Sequence, residues 1–169
     1  MQARSKVGPH LNIMGNSDAT QLLLRAEPSM GLGVNVGPPG EVASRDFIWV
    51  VRNYENDLQV QNPAAGGYPS DPQLAAKEYD RRYFQRFVQL NPWLKYLAGP
   101  NEPVVDLNVD AMKWCAAFFA ELAAIIRVEY GLVPVIGNWS VGAPDFSMWQ
   151  HYVPTLQALR RYGGYHARH

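Results

Sequence analysis

Several polar and aromatic side chains occur where short apolar runs of the sequence end. In chain order they are His10, Asn12, Asn35, Arg52, Asn53, Asn101, Glu102, Asn138, Trp139 and His166. Only 18% of the residues are charged, against about 25% in an average protein, so charged groups at such positions stand out. A carboxyl group can transfer protons, a guanidinium can orient a carboxylate, and an indole can stack on an apolar ligand face. These residue types therefore predict a catalytic or binding rim.

Glu102 is the residue best suited to acid/base chemistry. It lies between Asn101 and Pro103, four residues after the end of the apolar run Leu94–Ala98. Because a proline ring fixes the backbone just after the glutamate, the carboxyl group is expected to be held in one orientation. An Asn-Glu-Pro triplet also occurs as a solvated turn or a helix start, so the sequence leaves that alternative open at this point.

The elements that must position these residues alternate between short apolar strands and longer stretches of helical period. This alternation predicts repeated βα units around a parallel sheet. The predicted strands are Val7–Met14, Gly31–Val36, Phe47–Arg52, Leu94–Ala98, Leu132–Gly137 and Tyr165–Ala167. The predicted helices are Thr20–Arg25, Gln73–Leu90, a long helix capped by Asp106 or Asn108 and ending at Tyr130, and Phe146–Tyr162. The polar stretch Tyr54–Pro72 is longer than the roughly 4–6 residues of a usual connection and is predicted to be a functional loop.

The order of these elements predicts one α/β domain over residues 1–169, with five βα units and the start of a sixth strand. A complete (β/α)8 barrel takes about 250 residues. We therefore expect an incomplete TIM-type (β/α)8 barrel that lacks its last two to three units. A six-stranded doubly wound sheet is the structural alternative. It is disfavoured because neither G-x-G-x-x-G nor G-x-x-x-x-G-K-[ST] follows an early strand.

The segment Gly99-Pro100-Asn101-Glu102-Pro103 resembles the end of the fourth strand in retaining glycoside hydrolases of the large (β/α)8 clan, which often reads Asn-Glu-Pro. This resemblance implies that Glu102 is the general acid/base. It also implies that Asn101 hydrogen-bonds the sugar 2-hydroxyl, a contact that strengthens toward the oxocarbenium-like transition state. The expected function is thus hydrolysis of O-glycosyl bonds in an oligosaccharide or polysaccharide.

The same resemblance implies roles for three further residues. Arg52 looks like the arginine of the clan that lies near the nucleophile, Trp139 would stack on a sugar face, and His166 would line the subsite around the cleaved bond. The alternative for Arg52 is an ion pair with Glu55 or Asp57. The nucleophile of the clan is a second glutamate after the seventh strand, which this sequence does not contain. We therefore expect the chain alone not to hydrolyse glycosides.

Composition excludes several other classes of function. Fifteen basic residues balance fifteen acidic ones, so no charge excess attracts nucleic acid or an anionic membrane surface. The single cysteine, Cys115, excludes an intrachain disulfide framework, and no Cys/His grouping has the spacing of a metal site. No signal peptide and no apolar run of membrane-spanning length is visible, which makes the cytoplasm the default location.

A rival hypothesis assigns the chain no catalysis. An incomplete barrel leaves strand edges and core faces open, so it could bind carbohydrate or self-associate through those edges. No cofactor is expected under either hypothesis, because two carboxyl groups suffice for retaining hydrolysis. The identity of the sugar, the linkage and the mode of cleavage do not follow from the sequence.

Overall fold

A computed structural model describes residues 10–11, 25, 30–34, 48–52, 63–140 and 142–168 of the chain. The predicted helix Thr20–Arg25, apart from Arg25 itself, and most of the predicted strand Val7–Met14 fall outside these ranges. So do the side chains of four expected rim residues, namely His10, Asn12, Asn35 and Asn53.

The described strands form one six-stranded sheet in which every neighbouring pair is parallel. Its strands are β1 (His10–Leu11), β2 (Met30–Val34), β3 (Ile48–Arg52), β4 (Tyr96–Ala98), β5 (Val133–Trp139) and β6 (Tyr165–Arg168). They lie side by side in the order of the sequence. In doubly wound sheets the spatial order of the strands instead reverses at one point, as in the order 3-2-1-4-5-6. The predicted α/β class is confirmed, and the sequential order is consistent with an incomplete barrel.

The described α-helices are α1 (Pro72–Tyr79), α2 (Gln85–Leu90), α3 (Val109–Val128) and α4 (Val153–Tyr162). Of these, α1 and α3 begin at a side chain that caps a free backbone N–H group, and α4 ends at a glycine. The Asp71 side chain accepts a hydrogen bond from the backbone N–H of Leu74, and Asn108 accepts one from Ala111, as N-cap residues do. Gly163, at φ 68°, ends α4 in the left-handed conformation.

Two predicted helices are interrupted. The stretch predicted as one helix over Gln73–Leu90 contains a π-helical turn, Asp80–Phe84, between α1 and α2. Buried Asp80 accepts a 2.5 Å hydrogen bond from the Tyr130 hydroxyl, which ties this turn to the end of α3. The helix predicted over Phe146–Tyr162 begins as a 3-10 helix, Phe146–His151, and only then becomes α4.

The main apolar core lies between the sheet and a layer of helices. In that layer α3 packs between α1 and α4. Alternate residues of the strands face the helices, so Val51, Leu97 and Ile136 are fully buried in this core. On α3 the buried side chains recur at helical spacing and include Cys115, whose burial raises the pKa of its thiol.

The other face of the sheet carries the intervening residues. Val50, Arg52 and Tyr96 are only partly buried and lie outside the helix-facing core. The Tyr96 and Tyr165 rings lie 6.3 Å apart, which places an aromatic pair of β4 and β6 on this face. The two faces of the sheet thus differ in chemistry, since one is apolar and covered and the other is mixed and partly exposed.

Candidate functional site

The carboxyl ends of β4 and β5 are neighbours, and hydrogen bonds join the segments that follow them. The backbone N–H of Gly99 donates to the carbonyl oxygen of Val135 at 3.0 Å, which extends the parallel pairing. The backbone N–H of Glu102 then donates to the carbonyl oxygen of Asn138, also at 3.0 Å. Glu102 is therefore fixed to the end of the neighbouring strand.

Glu102 combines an exposed side chain with an unusual backbone. Its φ is 44°, in the left-handed region that residues other than glycine rarely adopt. Its side chain is exposed, whereas the following Pro103 is buried and anchors the chain. Such strain persists only where surrounding contacts over-determine it, and it concentrates at functional sites. The carboxyl group of Glu102 is thus presented to solvent from a rigid support.

Asn138 supplies much of that support. It is 4% exposed, and its side-chain amide donates to the carbonyl oxygens of Gly99 at 2.9 Å and Pro100 at 3.2 Å. Its own φ is 46°. The sequence placed Asn138 at a strand end without giving it a role, and a polar residue inside the apolar run that forms β5 was the available signal. The structure assigns it the positioning of the segment that carries Asn101 and Glu102.

Among the remaining expected rim residues, Arg52 and Asn101 differ from Trp139 and His166 in their position relative to the sheet. Arg52 ends β3 on the mixed face of the sheet, on the side opposite Trp49 and Val51, and is partly buried. Asn101 is half-buried beside Glu102. Both positions are compatible with a cleft at the carboxyl edge of the strands. The predicted alternative partners of Arg52 lie outside the described ranges.

Trp139 lies on the covered side of the sheet. Its side chain is fully buried, with ring centroids 5.5 Å from Tyr152 and 6.3 Å from Phe119, both in edge-on arrangements. The sequence predicted an indole free to stack on a sugar, and a ring enclosed by helix-layer aromatics does not present such a surface. In this position Trp139 contributes apolar packing behind the rim.

His166 belongs to the same aromatic cluster. Its imidazole lies 5.4 Å from the Trp149 ring and 5.7 Å from the Tyr152 ring, and the residue is about half-buried. Burial, with a smaller contribution from the positive charge of Arg168, lowers the pKa of His166. The structure therefore brings His166 together with Trp139 through Tyr152, and it does so on the helix side of the sheet.

A groove opens between the segments that follow β4 and β5, and its lining begins one residue after Glu102 in the sequence. It has a volume of about 420 Å³ and is lined by residues 103–107 on one side and by Ser140 and residues 142–145 on the other. Ligand pockets commonly measure about 300–1,000 Å³. A turn closed by the Ala143 N–H and the Ser140 carbonyl oxygen shapes the second wall. The first wall of the groove begins at Pro103, the residue after Glu102.

A second cavity, of about 540 Å³, lies at the start of α1. Gly67, Tyr68 and Glu78 are among the residues that line it, and the Arg82 side chain contacts all three of them. The Arg82 guanidinium donates to the carbonyl oxygens of Gly66 and Gly67, contacts Glu78, and lies 4.6 Å from the Tyr68 ring centroid. Hydrogen bonds from Arg81 and Arg82 lower the pKa of Glu78 to about 2. All the charged groups of this network are already paired with one another, which indicates a structural role.

The described part of the chain contains no group of three or more His, Cys, Asp or Glu side chains arranged to hold a metal ion. None of the described helices is long and apolar enough to cross a membrane. Comparison of the chain with protein-family models, with curated protein sequences and with solved structures finds no match. The function of the chain must therefore be inferred from the geometry of the rim.

Proposed function

We propose that this chain forms part of a retaining glycoside hydrolase of the (β/α)8 type, with Glu102 as its general acid/base. The observation that carries the proposal is the placement of Glu102 itself. It is an exposed carboxyl group at the carboxyl edge of a sequentially ordered parallel sheet, on left-handed backbone tied to Asn138. Catalytic residues of (β/α)8 enzymes lie at this edge.

In the first step of the proposed reaction, Glu102 donates its proton to the glycosidic oxygen as the bond from that oxygen to the anomeric carbon breaks. A second carboxylate attacks the anomeric carbon and forms a glycosyl-enzyme intermediate. Glu102, now ionised, then removes a proton from water, whose oxygen displaces the second carboxylate. Exposure of the Glu102 side chain suits this exchange of protons with substrate and water.

Two neighbours have positions suited to supporting roles. Asn101 directly precedes Glu102, and an amide there could hold the sugar 2-hydroxyl. Arg52 ends β3 on the mixed face of the sheet, where its charge could orient the second carboxylate and keep it ionised. Trp139 and His166 are left out of the sugar-contacting set, because the structure gives them packing contacts on the other side.

The second carboxylate must come from another strand end. A retaining mechanism needs two carboxyl groups about 5–5.5 Å apart. None of the strands in the described ranges contains an acidic residue. Glu102 follows the end of β4 by four residues and Glu55 follows the end of β3 by three, but the nucleophile that the resemblance implies follows the seventh strand. The proposal therefore predicts a strand-end glutamate encoded downstream of His169, and reading the gene beyond that codon tests this requirement directly.

The kinetic test compares two glutamates that are both exposed, Glu102 and Glu129. In the gene product that carries this chain, Glu102→Gln should lower turnover of unactivated oligosaccharides by about 10²–10⁴-fold, the usual contribution of general acid/base catalysis. The first step on aryl glycosides with good leaving groups should be spared. Added azide, which needs no general base, should speed the second step only in this variant. Glu129→Gln serves as the control and should match the parent.

Equal turnover of unactivated substrate by the parent and by Glu102→Gln would overturn the proposal. So would a matching loss in Glu129→Gln, because that result would trace the effect to the fold or to net charge. Loss of activity on activated and unactivated substrates alike, without azide rescue, would also contradict an acid/base role.

A second candidate function is self-association without catalysis. It is favoured by the position of β6 at one edge of the described sheet, with Tyr165 exposed on the mixed face. Unpaired strand edges are templates for pairing with another chain. Sedimentation of the chain over a range of concentrations should then show a dimer that Tyr165→Lys weakens. A monomer at every concentration would exclude this alternative.

A further inference from the structure

The amino ends of β4, β5 and β6 lie at the edge of the sheet opposite Glu102, because all described strand pairs are parallel. Three segments meet at that edge, namely residues 85–95, 127–132 and 159–164, and together they are called the amino-end surface. They are neighbours because β5 pairs with both β4 and β6. The backbone N–H of Val133 also donates to the carbonyl oxygen of Lys95 at 2.8 Å.

The amino-end surface carries large apolar side chains that are exposed. Leu90 at the end of α2 is 67% exposed, and Val128 at the end of α3 is 71% exposed. Trp93, in the turn from α2 to β4, is 41% exposed. Large apolar side chains exposed on adjoining turns are uncommon on a folded domain and mark interaction sites.

The same surface is basic. Its cationic side chains are all exposed, and they are Arg86, Lys95, Arg127, Arg160 and Arg161. None of the five forms an ion pair within the part of the chain that the structure describes. The three segments contain one acidic residue, Glu129. The surface therefore has an excess of four positive charges.

The charge of the whole chain does not show this excess. Fifteen basic residues balance fifteen acidic ones, and from that balance no attraction to an anionic surface is expected. The fold separates the charges, since Glu102, Asp106 and Asp145 are exposed at the opposite edge of the sheet. Salt screens charges beyond about 10 Å. An approaching anionic surface therefore responds to the nearest charges and not to the total.

Stabilisation of helix ends explains only part of this pattern. Arg127 lies in the last turn of α3, and Arg160 lies in the last turn of α4, where a cation interacts favourably with the helix dipole. Lys95 lies outside any helix, and exposed apolar side chains gain nothing from a helix dipole. Exposed cations beside a tryptophan and aliphatic side chains instead fit the interface of an anionic bilayer, where indole rings lie among the headgroups.

We propose that the amino-end surface binds the anionic surface of a lipid bilayer. Leu90, Trp93 and Val128 enter the headgroup region, and the five cations lie beside anionic headgroups. In this orientation Glu102 and the carboxyl edge of the sheet face away from the bilayer, so they stay open to substrates dissolved in water. The inference does not require the proposed hydrolysis, because the surface lies at the other end of the strands.

Sedimentation with vesicles tests this binding. The gene product that carries this chain is mixed with phosphatidylcholine vesicles, with or without phosphatidylserine. Its partition coefficient should be at least about tenfold higher on the vesicles that contain phosphatidylserine, because each lysine or arginine near the surface attracts anionic lipid. Added salt should reduce the difference between the two kinds of vesicle.

A pair of charge variants locates the surface. Arg86→Gln combined with Lys95→Gln should lower the partition coefficient on phosphatidylserine vesicles about thirtyfold, which is about 1 kcal/mol for each charge removed. The control combines Lys113→Gln with Arg168→Gln. Both residues are exposed and lie outside the amino-end surface, so the control removes the same net charge and should bind vesicles as the parent does.

A second pair tests the apolar contacts. Leu90→Ser combined with Val128→Ser should lower the partition coefficient about tenfold, through lost burial of apolar area in the bilayer. The control, Val104→Ser combined with Leu107→Ser, changes the same residue types at the opposite edge, where they are 59% and 70% exposed. The control should match the parent. All four side chains are exposed, so both double variants should fold.

Three outcomes would overturn the inference. The first is equal partition onto vesicles with and without phosphatidylserine. The second is an equal loss of binding in an amino-end variant and in its control. The third is tight binding to heparin, a soluble polyanion, together with unchanged vesicle binding by the Leu90→Ser, Val128→Ser variant. That third result would show that the surface attracts polyanions in general and makes no apolar contact with a bilayer.

Discussion

The ends of β4 and β5 lie side by side at one edge of the sheet, yet they present their side chains in opposite ways. After β4 the chain turns outward and exposes Glu102. At the end of β5 the chain turns inward, so that Asn138 is buried and Trp139 is fully enclosed. A position at the carboxyl edge therefore does not by itself make a residue accessible. The face of the sheet on which the side chain lies must also be known.

A local irregularity in β5 decides that question. Ile136 and Trp139 are an odd number of residues apart, so regular alternation would send them to opposite faces. Both instead belong to the core between the sheet and the helices. The register of β5 against β6 shifts between these two residues, where Gly137 has φ 115° and Asn138 has φ 46°. The bulge rotates Trp139 toward the helices and turns the Asn138 amide toward β4.

The largest predicted effect contrasts Trp139 with Glu102. Trp139→Ala should lower the free energy of unfolding by about 3–5 kcal/mol, since it empties a buried site between Phe119 and Tyr152. Glu102→Gln should change it by less than about 0.5 kcal/mol, as expected for an exposed side chain. Urea unfolding of both variants measures the difference. Similar losses of unfolding free energy in the two variants would contradict the difference in burial between the ends of β4 and β5.

The next effect concerns the bulge. A β-carbon on Gly137 would lie 2.8 Å from the carbonyl oxygen of Ala167, whereas one on Gly142 would meet nothing within 4 Å. Both glycines have positive φ, so an alanine at either position costs about 1–2 kcal/mol from the backbone alone. Gly137→Ala should cost about 2–4 kcal/mol in total, because overlap with β6 adds to that strain. Equal losses in the two variants would show that the contact with β6 is unimportant.

A smaller effect is expected from the Asn138 side chain. Asn138→Ala removes the donor to the carbonyl oxygens of Gly99 and Pro100, which should cost about 1–3 kcal/mol. Asn138→Gly loses the same hydrogen bonds but accommodates φ 46°, so it should be more stable than the alanine variant by up to about 1 kcal/mol. Thermal or urea unfolding measures the order of these variants. A glycine variant less stable than the alanine variant would contradict the left-handed assignment.

The smallest effect is a dependence on pH from His166. Its pKa is lowered mainly by burial, so the unfolded chain binds its proton more readily than the folded one does. Acidification through the ordinary histidine pKa of about 6.5 should therefore destabilise the parent. The lowered pKa values of Glu78 and Asp145 change the stability only at a more acidic pH. His166→Gln should flatten the loss of stability between about pH 7.5 and 5.5, as urea unfolding would show. If the unfolding free energy of the variant depended on pH as that of the parent does, His166 would be exposed to solvent and not buried.

The elements of the fold were predictable wherever local signals were strong. The long helix was expected to be capped by Asp106 or Asn108 and to end at Tyr130. It is observed as Val109–Val128 with Asn108 as its cap, because the cap and the apolar spacing act within the helix itself. The strand predicted over Leu132–Gly137 extends through Trp139, since pairing with β6 continues past the irregularity. The π-helical turn at Asp80 was not predicted, because its support comes from Tyr130, which is distant in the sequence.

By itself, the sequence determined the α/β class, the order of the elements and the position of Glu102 after a buried strand, because periodicity and capping are properties of neighbouring residues. Only the tertiary structure decided which rim residues share a face. The bulge in β5 moves Trp139 to the helix side, and the hydrogen bonds of Asn138 fix Glu102 at the edge. Both depend on contacts between strands that are far apart in the chain, and no local pattern of residues encodes such contacts.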